Sequence, residues 1–309
     1  MITYFDRQTS KDTLVISDNL KKNSWIFVED PSPEELDYLV NKLGLDKGLV
    51  SDAIDVDEAP RLDIEEGNLY VFCRFAYKDS YSIKTSPVMF CITKDHIIAI
   101  SVKTKSVFKT YAEENKAYIT KNKMDILTNL LKSSIDSYSY SLNYVNRQIR
   151  SIRSNLNVDK LSNKDFIKLV EVGDVLNEFI GDIVPLSNVL QTLEKNKQTT
   201  KFTEDELDLL EDMHLSANQL LDNSKSALKT IVNIRESYSN IATNNLNKKI
   251  TLLTTLTVVL TVPMIVASFW GMNVNVPFSS GKDSFLIIIS ATLLIVCITL
   301  IWLKTRKWF

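Results

Sequence analysis

The sequence predicts an α+β cytosolic domain, then long helices, then two transmembrane helices at the C-terminal end. Three observations carry this. Two spans free of charge, 250–270 and 285–303, lie within the last sixty residues. Ahead of them runs a long segment with neither glycine nor proline until Pro263. Over the first hundred residues, short β-branched and aromatic runs alternate with turn residues.

The elements follow in order. The chain is polar within its first six residues, so no basic-apolar-small signal peptide opens it. Runs rich in Ile, Val, Phe and Tyr at 24–27, 69–76, 83–92 and 96–102 read as strands. Their connections are of hairpin length, which predicts a mixed sheet. Ser32-Pro33-Glu34-Glu35 opens a helix, with Ser32 as N-cap, Pro33 in the first position and Glu35 closing a capping box. The α/β domain is placed at 1–120.

From about 123 the chain reads helical. One segment covers 124–156. A second starts at the cap Ser162 and runs to about 196, with Pro185 expected to kink it or free one carbonyl. Its acids, Asp165, Glu171, Asp174, Glu178 and Asp182, fit a solvated face or a cation-attracting rim. Together these form a helical hairpin over 121–202. Thr203-Glu204-Asp205-Glu206 is a capping box for a third helix, expected to run unbroken over 203–270. Such a helix would be ~100 Å long at 1.5 Å per residue. A heptad-like series marks it: Leu207, Leu210, His214, Ala217, Leu221, Ser224, Leu228, Ile231, Tyr238 and Ala242. It cannot pack on one small domain along its whole length, so copies of itself are expected around it as a stalk.

Each uncharged span approaches the ~20 residues that cross ~30 Å of hydrocarbon. Trp270 and Trp302 stand at span ends, where indole rings favour the interface. Lys248 and Lys249 precede the first span. Lys304, Arg306 and Lys307, in the tail 304–309, follow the second. In the loop 271–284, Lys282 and Asp283 cancel. The positive-inside rule then puts both termini in the cytosol and the loop outside a cell (inner or plasma) membrane. The same basic residues suit anionic lipid headgroups.

Charge divides along this boundary. Residues 1–247 hold 30 basic and 37 acidic side chains, a balance of −7, and the remainder balances at +5. An acidic domain disfavours nucleic acid and attracts divalent cations, although ordinary solubility explains it as well. Cys73, Cys91 and Cys297 make no metal-spaced pair, and His96 and His214 stand alone in sequence. Neither a nucleophile motif nor a Gly-rich phosphate loop appears. Nothing points to an enzyme.

Two transmembrane helices cannot enclose a polar path, so transport would require an oligomer. Asn247, Thr254, Thr257, Thr261, Met264 and Ser268 recur at helical spacing and form one stripe. Facing a channel, their oxygens could touch a hydrated ion. Alternatively the threonines bond their own helix backbone.

Gly271-Met272-Asn273 at the outer end of the first of two C-terminal spans, with the tail Lys307-Trp308-Phe309, resembles the CorA family of divalent metal ion transporters. The resemblance covers the whole chain and implies a funnel-shaped homopentamer whose first spans line the pore. It implies passive, potential-driven uptake of Mg2+, with Co2+ and Ni2+ as further ions. Gly271, Met272 and Asn273 match the entrance motif, and Asn247 matches a polar ring at the cytosolic end of the pore. Thr261, Met264 and Ser268 match pore-facing positions. Where the family often carries a larger residue, this chain has Thr261, so the hydrophobic gate could instead lie at Leu253, Thr254 or Met264. The resemblance also implies a regulatory Mg2+ between subunits that holds the channel shut, pointing to Asp52 and Asp212, with Asp55 and Asp57 able to share the role. Two rivals stay open: a proton-coupled transporter of Zn2+ or another transition metal, and a non-conducting membrane-anchored sensor or scaffold.

Overall fold

The computed structural model describes residues 1–6, 15–17, 19–79, 82–102, 119–154, 163–195, 202–272 and 283–305. It divides into two compact units, Met1–Asn233 and Ile234–Phe309.

The first unit is built on a seven-stranded mixed sheet. Its strands are β1 (Ile2–Asp6), β2 (Val15–Ser17), β3 (Trp25–Glu29), β4 (Arg61–Glu65), β5 (Asn68–Lys78), β6 (Ile83–Ile92) and β7 (Ile97–Ser101), in the order β2-β1-β3-β7-β6-β5-β4. Only β3 and β7 pair in parallel, with Trp25 opposite Ile97 and Val28 opposite Ile100. Between β3 and β4 lie the short helices α1 (Pro33–Asn41) and α2 (Lys47–Asp52). Ser32 caps α1 in a complete capping box with Glu35, as the local sequence predicts. Asp46 caps α2 by accepting from the Leu49 N–H. These helices cover one sheet face, closing a core of Ile26, Val28, Tyr70, Phe72, Met89 and Ile98 against Leu39, Leu49 and Val50.

Two long helices, α3 (Lys123–Ser154) and α4 (Asn163–Lys195), also pack on this sheet, α3 against β5 and β6 and α4 against β4, β5 and β6. Strands β5 to β7 are therefore buried almost throughout. That explains why they read as unbroken apolar runs and were visible in sequence. The predicted cap Ser162 lies outside the described residues. Helix α4 continues through Pro185, and the carbonyl that proline leaves unpaired is that of Gly181, an exposed residue.

Helix α5 (Glu204–Trp270) is one helix of 67 residues. Its N-terminal box is formed: Glu206 accepts from the Thr203 N–H and Thr203 accepts from the Glu206 N–H. Ahead of the apolar span its buried positions are Leu210, Met213, Ala217, Leu220, Ser224, Ala227, Ile231 and Ile234, a strict alternation of three- and four-residue steps. The expected series therefore mixed two faces. Leu210, Ala217, Ser224 and Ile231 lie on the buried seam; Leu207, His214, Leu221, Leu228 and Tyr238 flank it half-buried; Ala242 is exposed.

In the second unit, α5 carries the first apolar span and α6 (Ser284–Thr305) the second. Within these spans only Thr255 and Leu303 are buried by the chain itself. A helix from a soluble core would hide its apolar side chains. These leave theirs uncovered, as helices facing lipid or other subunits do.

Candidate functional site

The predicted site residues fall into four places. At the outer end of α5, the Gly271 N–H donates to Ala267 O at 2.9 Å, and the Met272 N–H reaches Phe269 O at 3.4 Å. A side chain at Gly271 would set a Cβ 3.2 Å from Ala267 O. Glycine here relieves a close approach to the last helical turn; its φ is not in the left-handed region. Asn273 lies outside the described residues.

Along the span, Asn247, Thr254, Thr257, Thr261, Met264 and Ser268 are all exposed on the chain. At 100° per residue they occupy an arc of about 100°. The Thr257 hydroxyl donates to Leu253 O at 2.9 Å, and the Thr261 hydroxyl to Thr257 O at 2.7 Å. Bonding to the helix and lining a path are compatible for these two. A hydroxyl has one proton and two lone pairs. With the proton committed backward, the lone pairs are left to accept. Thr255, on the opposite side of the helix, is buried, and its hydroxyl has no partner among the described residues. Pro263 leaves the Val259 carbonyl without its usual intrahelical donor.

The third place is the segment that ends α2 and enters β4. Its carboxylates gather on one cation. Arg61 meets Asp52 at 2.6 Å, Glu58 at 2.9 Å and Asp63 at 3.0 Å. Its guanidinium carbon lies 4.4 Å from the centre of the Phe72 ring. Burial works to lower the Arg61 pKa, but the charges of Glu58 and Asp63 and the bond to Asp52 carry it above its ordinary value. Asp55 accepts from the Asp57 N–H in the same turn. Asp212 sits elsewhere, on an open groove of about 380 Å3 between α3 and α5, with Lys132, Asp136 and Ser216 among its neighbours. Among the described residues, no group of three or more His, Cys, Asp or Glu is arranged to hold a metal ion within one chain.

Beneath the acidic segment lies a buried polar network. Arg74 donates to the carbonyls of Val56 and Glu58 at 2.9 and 2.8 Å and to the Thr85 hydroxyl at 3.1 Å. It also pairs with Asp182 at 3.3 Å. Tyr138 donates to Asp182 at 2.9 Å, and Glu178 accepts from both the N–H and the hydroxyl of Thr85. Burial raises the pKa of Asp182, opposed by the charge of Arg74, and lifts Tyr138 well above its ordinary value. The solvated face expected for α4 is thus only partly present. Glu171 and Asp174 are exposed, whereas Glu178 and Asp182 anchor α4 to the sheet. His214, alone in sequence, is packed between Ser187 and Asn218 at 3.1 and 3.2 Å.

The family model described as "CorA-like Mg2+ transporter protein" matches residues 21–305. The chain belongs to the CorA family. The CorA cobalt/magnesium transport protein of Methanocaldococcus jannaschii is 23% identical over 293 residues, covering 92% of this chain and 90% of that protein. The CorA magnesium transport protein of Wolinella succinogenes is 22% identical, with the same coverage of each chain. The complete structure of the M. jannaschii CorA magnesium transporter superposes with a TM-score of 0.88 at 19% identity, covering 100% of this chain and 99% of that one. As a CorA-family member this chain is a divalent cation transporter of membranes, not an enzyme.

Sequence reasoning missed the Arg61 cluster and the Arg74 network. One signal for the latter was available: Arg74 is the only charge within the apolar run 69–76. A lone arginine there needs a buried partner.

Proposed function

We propose that this CorA-family protein is a passive Mg2+ channel, assembled as a homo-oligomer with five subunits and closed by cytosolic Mg2+. The uncovered oxygen-bearing stripe of the first span carries the reading. Thr254, Thr257, Thr261 and Ser268 share one exposed face, and the Thr257 and Thr261 protons already point into the helix. Their lone pairs suit the water protons of a hydrated cation. Mg2+ is a hard ion that sheds water reluctantly, and apart from the Met264 thioether the stripe offers oxygen donors, with neither imidazole nor thiolate. Gly271, Met272 and Asn273 would form the external entrance, with one amide per subunit holding the ion through its water shell. Asn247 would ring the cytosolic end, with the gate near Thr261 or Met264.

Closure would come from Mg2+ bound between subunits, with Asp52 and Asp212 as ligands and Asp55 and Asp57 beside them. Two carboxylates facing each other across an interface repel, and a divalent ion relieves that repulsion. Support for an inter-subunit site is that Asp52 and Asp212 sit in separate clusters on one chain. Lys248, Lys249 and Lys304 would lie at the cytosolic surface, facing anionic headgroups.

The test is Mg2+ influx into proteoliposomes holding the purified protein. An inside-negative potential supplies ~4.6 kcal/mol per 100 mV to a divalent ion, twice the ~2.3 kcal/mol per charge. We expect potential-driven entry, indifferent to a proton gradient and suppressed by internal Mg2+. Entry of Zn2+ alone, or only with a proton gradient, would replace the reading with a transition-metal transporter. Flux of no ion would leave a sensor or scaffold.

A further inference from the structure

Resting on the reading of Asp52 as a regulatory ligand, we propose that Arg61 sets the Mg2+ threshold of that site by acting as a tethered competitor for its carboxylate. The segment 52–63 carries Asp52, Asp55, Asp57, Glu58 and Asp63 against a single cation. That cation is the side chain at the centre of the cluster, within 3.0 Å of Asp52, Glu58 and Asp63 alike. The contact to Asp52 is the shortest of the three, at 2.6 Å.

The geometry fixes Arg61 in that position. Arg61 and Asp63 alternate on one face of β4, two residues apart. Glu58 holds Nε, Asp52 holds Nη2 and Asp63 holds Nη1, so each nitrogen of the guanidinium has its own carboxylate. The Phe72 ring beneath, directly opposite Arg61 across the β4–β5 pair, supports the plane. Arginine is always charged and this fork is pre-organised, so the competitor is present at every pH at which the protein is folded.

A Mg2+ ion approaching Asp52 meets a carboxylate that is already neutralised and a guanidinium that repels it. The site remains open, because Asp52 and Arg61 are both partly exposed and such pairs are weak in water. Its affinity is lowered, so Mg2+ must accumulate before it displaces the pair. The three carboxylates outnumber the one cation, and the excess is what a divalent ion would answer.

The experiment measures the internal Mg2+ concentration that half-inhibits influx in proteoliposomes of the full chain. Arg61→Met keeps an unbranched apolar side chain opposite Phe72 and removes the charge. Two unit charges near 4 Å in water interact by ~1 kcal/mol, doubled for a divalent ion, so half-inhibition should move about tenfold or more to lower Mg2+. Arg61→Lys, which keeps the charge, should stay within about threefold of the parent. The gap between Met variant and parent should shrink in high KCl, as screening requires; a merely structural defect would not respond to salt. Glu58→Gln, which leaves the guanidinium more fully to Asp52, should move half-inhibition to higher Mg2+ and serves if Arg61→Met does not fold.

No shift in Arg61→Met, a shift to higher Mg2+, or an equal shift in Arg61→Lys overturns the proposal. So does a downward shift in Glu58→Gln. Asp52→Asn separates the two layers. Inhibition lost in Asp52→Asn but unmoved in Arg61→Met removes Arg61 alone. Inhibition intact in Asp52→Asn removes the Asp52 reading and this proposal with it.

Discussion

At the scale of single residues, the buried pair Arg74–Asp182 decides how the acidic segment is held. Arg74 is almost fully buried and supports two carbonyls of that segment while leaning on Asp182. Removing one member of a buried pair leaves an uncompensated charge, at about 3–5 kcal/mol, whereas replacing both by apolar groups is often near neutral. Arg74→Met should therefore lower thermal stability more than the double variant Arg74→Met, Asp182→Leu. The pH dependence has a definite sign. Burial already raises the Asp182 pKa, and Arg74 is what opposes it. Without Arg74 the folded-state pKa rises further, so the stability Asp182 leaves in the variant is present at low pH and lost as pH rises through that value. The melting temperature of Arg74→Met in detergent should fall further below the parent at pH 8 than at pH 5. Equal deficits at both pH values would show that Asp182 is not the orphaned partner.

At the scale of elements, the parts legible in sequence are those whose signal is local. Both capping boxes need only four residues and both formed. Strands β5 to β7 are buried on both faces and announce themselves as apolar runs. Strands β1, β2 and β4 did not, because they are short, lie towards the edges and alternate with polar residues. Strand β4, Arg61-Leu62-Asp63-Ile64-Glu65, reads as loop until β5 pairs with it through the two-residue turn Glu66-Gly67, both with positive φ. Missing that strand hid the Arg61 cluster, since it is the strand that puts Arg61 and Asp63 on one face. On α5 the apolar residues were visible but the register was not: leucines on the flank look the same as leucines on the seam. The observed seam makes a prediction. Leu220→Ala should cost about 2–5 kcal/mol. Ser224→Ala should be neutral or stabilising, because it deletes a fully buried hydroxyl without a partner among the described residues. Thermal unfolding of the full chain in detergent reads both. A cost above about 1 kcal/mol for Ser224→Ala would mean that the hydroxyl is bonded and the seam is wrongly drawn.

At the scale of the whole molecule, the second unit is incomplete as a single chain. Nearly all of its apolar span surface is uncovered, and two helices cannot surround a polar path. A homo-oligomer answers both at once, and it multiplies every entrance group by the number of subunits. This is what makes Asn273 a sharp test. If each subunit contributes one amide to a ring at the entrance, Asn273→Ala removes every member of the ring together. A hydrogen bond to a charged group contributes about 1.5–3 kcal/mol, and a factor of ten in rate corresponds to about 1.4 kcal/mol. Losing even two such bonds to the ion's water shell would slow entry by at least a hundredfold. The substitution falls outside both uncharged spans in the sequence, so the assembled mass in detergent should be unchanged. We therefore expect Asn273→Ala to abolish Mg2+ uptake in proteoliposomes while eluting as the parent oligomer. Uptake at the parent rate from an intact oligomer would remove the entrance from Asn273. Loss of uptake together with loss of the oligomer would show that the residue acts in assembly instead.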